Sequence, residues 1–221
     1  PEGRMLPLSI LNQTRRALVE RIQTARKAKE SSVPSHPPAS FTLPPLPKGT
    51  AVPDMPPHLS VLCRKTEQIP AALDAGANAV YLDFEDLRDY AEGIKTVREH
   101  GKSIPVFLAT PRIQKPSEVG YFKLMERAEP DGILIRNLGA AQYFRQSPLH
   151  RIGDFSLNVA NPYSAAILKK RGNLAHLTIS YDLNAEQVAD LLCAAPPEWF
   201  ELTLHQHMPM FHMEHCVFCT F

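Results

Sequence analysis

"AVYLDFED", running from Ala79 to Asp86, reads as a short strand that ends in carboxylates. Side chains alternate along a strand, so Val80, Leu82 and Phe84 share one face while Tyr81, Asp83 and Glu85 share the other. The first face needs a cover of helices, and the second offers acids to whatever space it looks into. The same pattern returns along the chain in "SVLCR", "PVFLATPR", "DGILIRN", "DFSLNVANP", "HLTISYDLN" and "WFELTLHQH". Between these strands lie helical stretches, among them "QIPAALDAG", "EVGYFKLMERAE" and "AEQVADLLCAA". The first of them closes on Gly76, which is free to adopt the left-handed capping conformation.

Repeats of strand and helix predict an α/β fold with a parallel sheet and helices outside it. Seven units are visible, which fits a (β/α)8 TIM-like barrel lacking its last unit better than an open doubly wound sheet. No G-x-G-x-x-G follows the first strand, which weighs against a nucleotide-binding sheet. The incomplete barrel is expected over residues 59–221. Ahead of it, residues 1–30 read as an amphipathic helix: Leu11, Leu18, Val19, Ile22 and Ala25 recur near helical spacing among Arg15, Arg16, Arg21, Arg26, Lys27 and Lys29. Residues 31–58 are proline-rich, and because proline lacks a backbone donor they read as an extended linker.

The 221 residues are 44% apolar with a formal charge of +1, so no overall field draws the chain to nucleic acid, and such binding would rest on a local basic patch. No apolar run approaches the roughly 18–20 residues of a membrane span, and no secretory signal is visible, so a cytoplasmic location is expected. Four cysteines do not make a disulfide scaffold in a chain of this length. The chain opens on Pro1 and stops soon after Cys219, which reads as a fragment of a longer protein.

Alternation extended to the other strands puts Arg64, Arg112, Arg136, Asn158 and Asp182 at carboxyl ends, together with Glu85 and His205. Active sites of barrels form at those ends. Glu85, Arg112, Asn158, Asp182 and His205 are therefore the candidate catalytic residues, and the arginines favour an anionic ligand, since guanidinium forks match carboxylate and phosphate oxygens. The chain closes on "HQHMPMFHMEHCVFCTF", with four histidines and two cysteines. Cys216, Cys219, His207, His212 and His215 are candidate ligands for zinc or an iron–sulfur cluster, the thiolate and imidazole set being poorly suited to magnesium or calcium. A nucleophilic Cys216 served by His215 or His205, or a buried Cys216 beneath surface histidines, are the alternatives. Cys63 and Cys193 read as packing residues.

"YLDFEDLRDY", "LATPRI", "PDGILIRNLGA", "IGDFSLNVANP", "SYDLN" and "HQHMPMFHMEHCVF" together resemble the collagenase-like peptidase family, peptidase family U thirty-two. The likeness is to the second barrel of its large members, and "LPLSILNQTRRALVERI" is similar to the connector before that barrel. The resemblance implies one of two activities. Some members are called proteases; others are iron–sulfur proteins that support hydroxylation of RNA bases or of a quinone precursor, with a 4Fe-4S cluster held by four cysteines at the barrel mouth. Cys216 matches the first of these cysteines. Cys219 falls where many members carry a small non-cysteine residue, and the later cysteines would lie beyond residue 221. The residues themselves weigh against a protease: there is no G-x-S-x-G elbow and no H-E-x-x-H helix, and "HMEH" is one residue short of that spacing. The leading expectation is thus an iron–sulfur-dependent hydroxylation enzyme, or its accessory barrel, acting on RNA or another anionic substrate. A metal- or cysteine-dependent peptidase comes second, and a non-catalytic barrel that binds RNA or protein through the basic helix third.

Overall fold

The computed structural model of the protein describes residues 7–31, 45–46, 57–100 and 103–207. The chain divides into two units, residues 1–44 and 45–221. In the first, helix α1 spans Leu8–Ser31. Prolines of the expected linker lie mostly outside the described residues.

In the second unit, seven strands form one sheet in the order β1 (Ser60–Cys63), β2 (Ala79–Leu82), β3 (Val106–Ala109), β4 (Gly132–Ile135), β5 (His150–Gly153), β6 (His176–Thr178) and β7 (Phe200–Glu201). Every neighbouring pair is parallel. A parallel sheet whose spatial order equals its chain order is wound in one direction, as in a TIM barrel; a doubly wound sheet reverses its order part-way. The sheet curls. Tyr81 on β2 donates its hydroxyl hydrogen to Glu201 Oε1 on β7 at 2.6 Å, so strands near opposite ends of the ladder meet across the concave side.

Helices α2 (Gln68–Asp74), α3 (Tyr90–Glu99), α4 (Gly120–Arg127), α5 (Leu138–Tyr143), α6 (Pro162–Gly172) and α7 (Ala185–Ala194) fall between the strands. Their ends are written locally. Asn137, Asn161 and Asn184 each accept a hydrogen bond from a backbone N–H in the first turn of α5, α6 and α7, and Gln187 completes a capping box on α7. Just beyond α2, Gly76 takes φ +88°, the left-handed turn expected of it.

Alternation sorts the core into two sets. Val80, Leu82, Phe84, Leu108, Ile133, Ile135 and Leu177 pack with Ile69, Leu73, Val97, Phe122 and Met125 from the helices. Ala79, Tyr81, Phe107, Ala109, Leu134 and Ile152 form a second cluster on the concave side. The face-by-face reading of "AVYLDFED" holds in both sets.

The fifth strand is corrected. It is His150–Gly153 and not "DFSLNVANP", whose residues Phe155–Leu157 form a 3-10 turn closed by Asn158 at φ +52°. Asparagine tolerates that left-handed conformation better than most residues, and of this stretch only Val159 pairs with the sheet, as an isolated parallel bridge to Ile179. The seventh strand is also shorter than its alternating sequence, so Thr203 and His205 lie beyond it.

Gly132 lets the concave layer close. A Cβ there would lie 2.4 Å from Phe107 Cε1 and 2.6 Å from the His150 carbonyl oxygen, and Phe107 in turn meets Tyr81 edge-on at 5.3 Å between centroids. Gly132→Ala should cost about 1–3 kcal/mol of stability in urea denaturation, the usual range for overpacking. Phe107→Leu in the same background should recover part of that loss by freeing the space.

Candidate functional site

Each strand of the sheet points its carboxyl end the same way, and a buried polar layer caps the concave side there. Asp83, Arg136, Asp154 and Ser180 follow β2, β4, β5 and β6 in the chain, and Thr110 follows β3. Arg136 is at the centre. Its Nε donates to Asp154 Oδ2 at 2.7 Å, and its Nη1 and Nη2 donate to Asp83 Oδ1 and Oδ2 at 2.6 and 3.0 Å. Arg64, at the end of β1, adds an outer ion pair to Asp83 at 3.1 Å. Burial works against the charged guanidinium of Arg136, yet the carboxylates of Asp154 and Asp83 outweigh it and hold its pKa above the ordinary arginine value. The backbone joins in: Arg136 N–H donates to Thr110 Oγ1 at 2.9 Å, and Ser156 Oγ donates to the Arg136 carbonyl at 2.8 Å.

Beside this network lies a cleft of about 1100 Å3 lined by Arg64, Lys65, Glu67, Asp83, Glu85, Asp86, Arg88, Asp89, Thr110 and Tyr121, among others. Its charges partly cancel. Arg88 bonds Asp86 and holds that carboxyl at about 2, well below the usual carboxylate range, while Arg64 is paired to Asp83. More carboxylates than cations line the cleft, so its walls do not by themselves attract an anion.

The sequence-derived site residues fall into separate places. Glu85 is exposed and lines the cleft. Arg112 stands over the Phe155 ring, its Cζ 5.3 Å from the centroid, and Phe155 packs against Tyr181 at 4.9 Å. Asn158 and Asp182 are exposed, Asn158 in its left-handed turn and Asp182 donating its backbone N–H to Ser180 Oγ at 3.4 Å. His205 is exposed, its ring 5.8 Å from that of His207 and nearly perpendicular to it. No hydrogen bond or ion pair joins any two of Glu85, Arg112, Asn158, Asp182 and His205 among the described residues. The placement of Asn158 and His205 by strand alternation is corrected, since neither lies on a strand.

Two groups escaped the sequence reading. Asp154 was hidden by the misplaced fifth strand; with β5 at His150–Gly153 it takes the position that Asp83 and Arg136 take on their strands. Glu201 and Tyr81 form the other pair. Burial raises the Glu201 carboxyl above its ordinary pKa, opposed by the Tyr81 hydrogen bond, and burial together with the Glu201 charge raises the Tyr81 phenol.

Among the described residues, no three His, Cys, Asp or Glu side chains stand together as a metal site. Neither described cysteine suits a cluster. Cys63 is buried, which pushes its thiol up to about 11, and Cys193 lies on α7 outside the sheet. Cys216, Cys219, His212 and His215 lie outside the described residues. Near that boundary, Gln206 keeps its Nε2 buried with no hydrogen-bond partner among the described residues. Among the described residues, no helix is long and apolar enough to cross a membrane.

No family model and no curated protein matches the chain. Among solved structures it is similar to an unknown member of the enolase superfamily from Enterococcus faecalis V583, at 11% identity and a TM-score of 0.41, over 55% of this chain and 35% of that one. It is similar to MenC from Desulfotalea psychrophila LSv54 at 13% identity and a TM-score of 0.43, over 68% of this chain and 47% of that one. A glycerol uptake operon antiterminator-related protein from Thermotoga maritima MSB8 matches at 10% identity and a TM-score of 0.44, over 66% of this chain and 94% of that one. The chain thus spans 35% and 47% of the first two.

The Glu201 shift has a measurable sign. A carboxyl whose pKa is raised by folding stabilises the folded state fully below its unfolded value, about 4.3 for glutamate, and that contribution is lost as pH rises through the folded value. Glu201→Gln keeps an oxygen to accept from Tyr81 and removes the titration. Denaturation of both proteins from acid to neutral pH should show the variant gaining on the parent as pH rises, whereas a constant difference would refute a buried, titrating Glu201.

Proposed function

We propose that this chain is a barrel domain of an iron–sulfur-dependent hydroxylation enzyme of the collagenase-like peptidase family, acting on an anionic substrate of which RNA is the leading candidate. The observation that carries the proposal is where the chain leaves the sheet. β7 runs parallel to the others, so its exit toward Cys216 is at the carboxyl end, the end at which Asp83, Arg136 and Asp154 meet. The reading requires the residues that follow, Cys216 among them, to hold a cluster at that end. Gln206 supports the reading, because a buried donor without an acceptor is costly unless something beyond the described residues supplies one.

The anion preference narrows to one residue. Arg136 is saturated by two carboxylates and Arg64 is paired, so Arg112 is the mouth arginine that keeps its N–H groups unengaged by the described residues. Stacking on Phe155 orients the guanidinium while leaving its edge open to a phosphate or carboxylate. Cys216, with cysteines supplied from beyond residue 221, would hold a 4Fe-4S cluster; zinc bound by Cys216, Cys219, His207, His212 and His215 is the alternative for the chain alone.

Full-length protein purified without oxygen should carry iron and show broad visible absorption. Cys216→Ser should lose both, since a hydroxyl is a poor ligand at neutral pH, and Cys193→Ser should keep them. Iron-free protein after anaerobic reconstitution, with a Cys216→Ser variant of unchanged activity, would move the assignment to the peptidase or binding reading.

A further inference from the structure

The concave face also has an amino end, and histidines gather there. Ala79 on β2 and Ile152 on β5 belong to the concave cluster. His150 lies two residues before Ile152, and His176 on β6 is the register partner of Ile152, so alternation puts both side chains on the concave face. Ser60, the register partner of Ala79, shares that face, and His58 stands two residues ahead of it. The curl of the sheet then brings distant strands together. His58 and His150 are both close enough to His176 to act on its charge, and His58 acts on Glu201 as well.

All three histidines are exposed, and their side chains make no hydrogen bond or ion pair with the described residues. Lys169 on α6 donates to the Leu174 and Ala175 carbonyls, which lead into His176, and adds a fourth cation. Protein packed about the His176 ring disfavours its charged form, and the charges of Lys169, His58 and His150 disfavour it further. Among the acids, Glu201 faces the group and Glu198 acts on Lys169. Protonation therefore gathers like charges with little to balance them. We propose that the amino end of the concave face binds a phosphate group through His58, His150 and His176 in their imidazolium form.

Three imidazoles first suggest a transition metal. Zinc holds nitrogen at about 2.0–2.1 Å, which requires its ligands to crowd together, and no three His, Cys, Asp or Glu side chains among the described residues do so. A phosphate accepts charged hydrogen bonds of about 2.7–2.9 Å on oxygens that point several ways, so it spans a wider gap between donors. It also supplies negative charge that Glu201, engaged by the Tyr81 hydroxyl, does not offer freely. Three donors from three strands match a phosphate monoester, with about −1.5 to −2 charge and three acceptor oxygens, better than a singly charged phosphodiester. The site is separate from the carboxyl-end mouth, since residues at the amino ends of barrel strands ordinarily serve stability. It stands independently of the cofactor and of the substrate proposed above.

Imidazole proton NMR of the 221-residue chain reads the three rings directly. The probes are sulfate, a tetrahedral dianion whose charge is constant near neutrality, and methyl phosphate. At about pH 5.5 each should shift the His58, His150 and His176 signals to saturation, and sulfate affinity should fall at least about 10-fold by about pH 7.5, as imidazoles with an ordinary value near 6.5 lose their charge. His150→Gln combined with His176→Gln should weaken binding by at least about 10-fold, the loss expected when charged donors to an anion are removed. Titration of the unsubstituted chain tests the site without relying on that variant. Signals that never saturate, shifts that sodium chloride reproduces at equal ionic strength, or binding that survives both substitutions would overturn the proposal. Saturation of the same three rings by zinc at neutral pH, with sulfate inert, would make this a metal site instead. A short oligoribonucleotide that binds there more tightly than methyl phosphate would refute the monoester and assign the surface to nucleic acid.

Discussion

One guanidinium holds the carboxyl end of this sheet together. Arg136 extends from β4 to Asp83 beyond β2 and to Asp154 beyond β5, using three N–H groups on two carboxylates. Two buried acids side by side repel one another, and a single arginine between them replaces that repulsion with attraction. Removing the arginine would leave Asp154 buried without its ion-pair partner and Asp83 with Arg64 alone. The strand between them, β3, is tied in through Thr110, whose hydroxyl accepts from the Arg136 backbone. Four strand ends are thus fixed by one residue's side chain and main chain.

That closure decides what the mouth can do. A saturated Arg136 is not free to bind ligand, and the polar layer on which it sits is support. Outside that layer the rim offers exposed Glu85 and Lys65 in the cleft and a half-buried Arg112 on its aromatic bed of Phe155 and Tyr181. The concave apolar layer beneath, in which Gly132 makes room for Phe107, keeps the barrel packed rather than open. Tyr81 and Glu201 then join the two ends of the sheet from within.

Much of this was legible because the strands are short and regular. In "AVYLD", "VFLAT", "GILIR" and "HRIGD" four residues of strand lead to one polar residue at the mouth, and period-two alternation sorted the faces of "AVYLDFED" correctly. The same rule failed at "DFSLNVANP", where a 3-10 turn mimics alternation and the true strand, "HRIG", carries a histidine and an arginine that disguise it. It failed again after Glu201, because alternation in sequence continues where the ladder does not. Pairing of Arg136 with two acids from different strands is a long-range fact that no local pattern encodes. The cysteine motif and two of the four terminal histidines, His212 and His215, lie outside the described residues.

The central claim is that the mouth is organised around the charge of Arg136, and a double-mutant cycle between Arg136 and Asp154 tests it most directly. Urea denaturation of Arg136→Met, Asp154→Leu and the double variant gives three stability differences. The account predicts that Arg136→Met alone costs about 3–5 kcal/mol, the penalty for breaking a buried ion pair from one side. The double variant should fall short of the sum of the two single losses by more than about 1 kcal/mol, as expected for residues in one network. A loss under about 0.5 kcal/mol for Arg136→Met, which is what surface substitutions give, or strict additivity of the two changes, would contradict it.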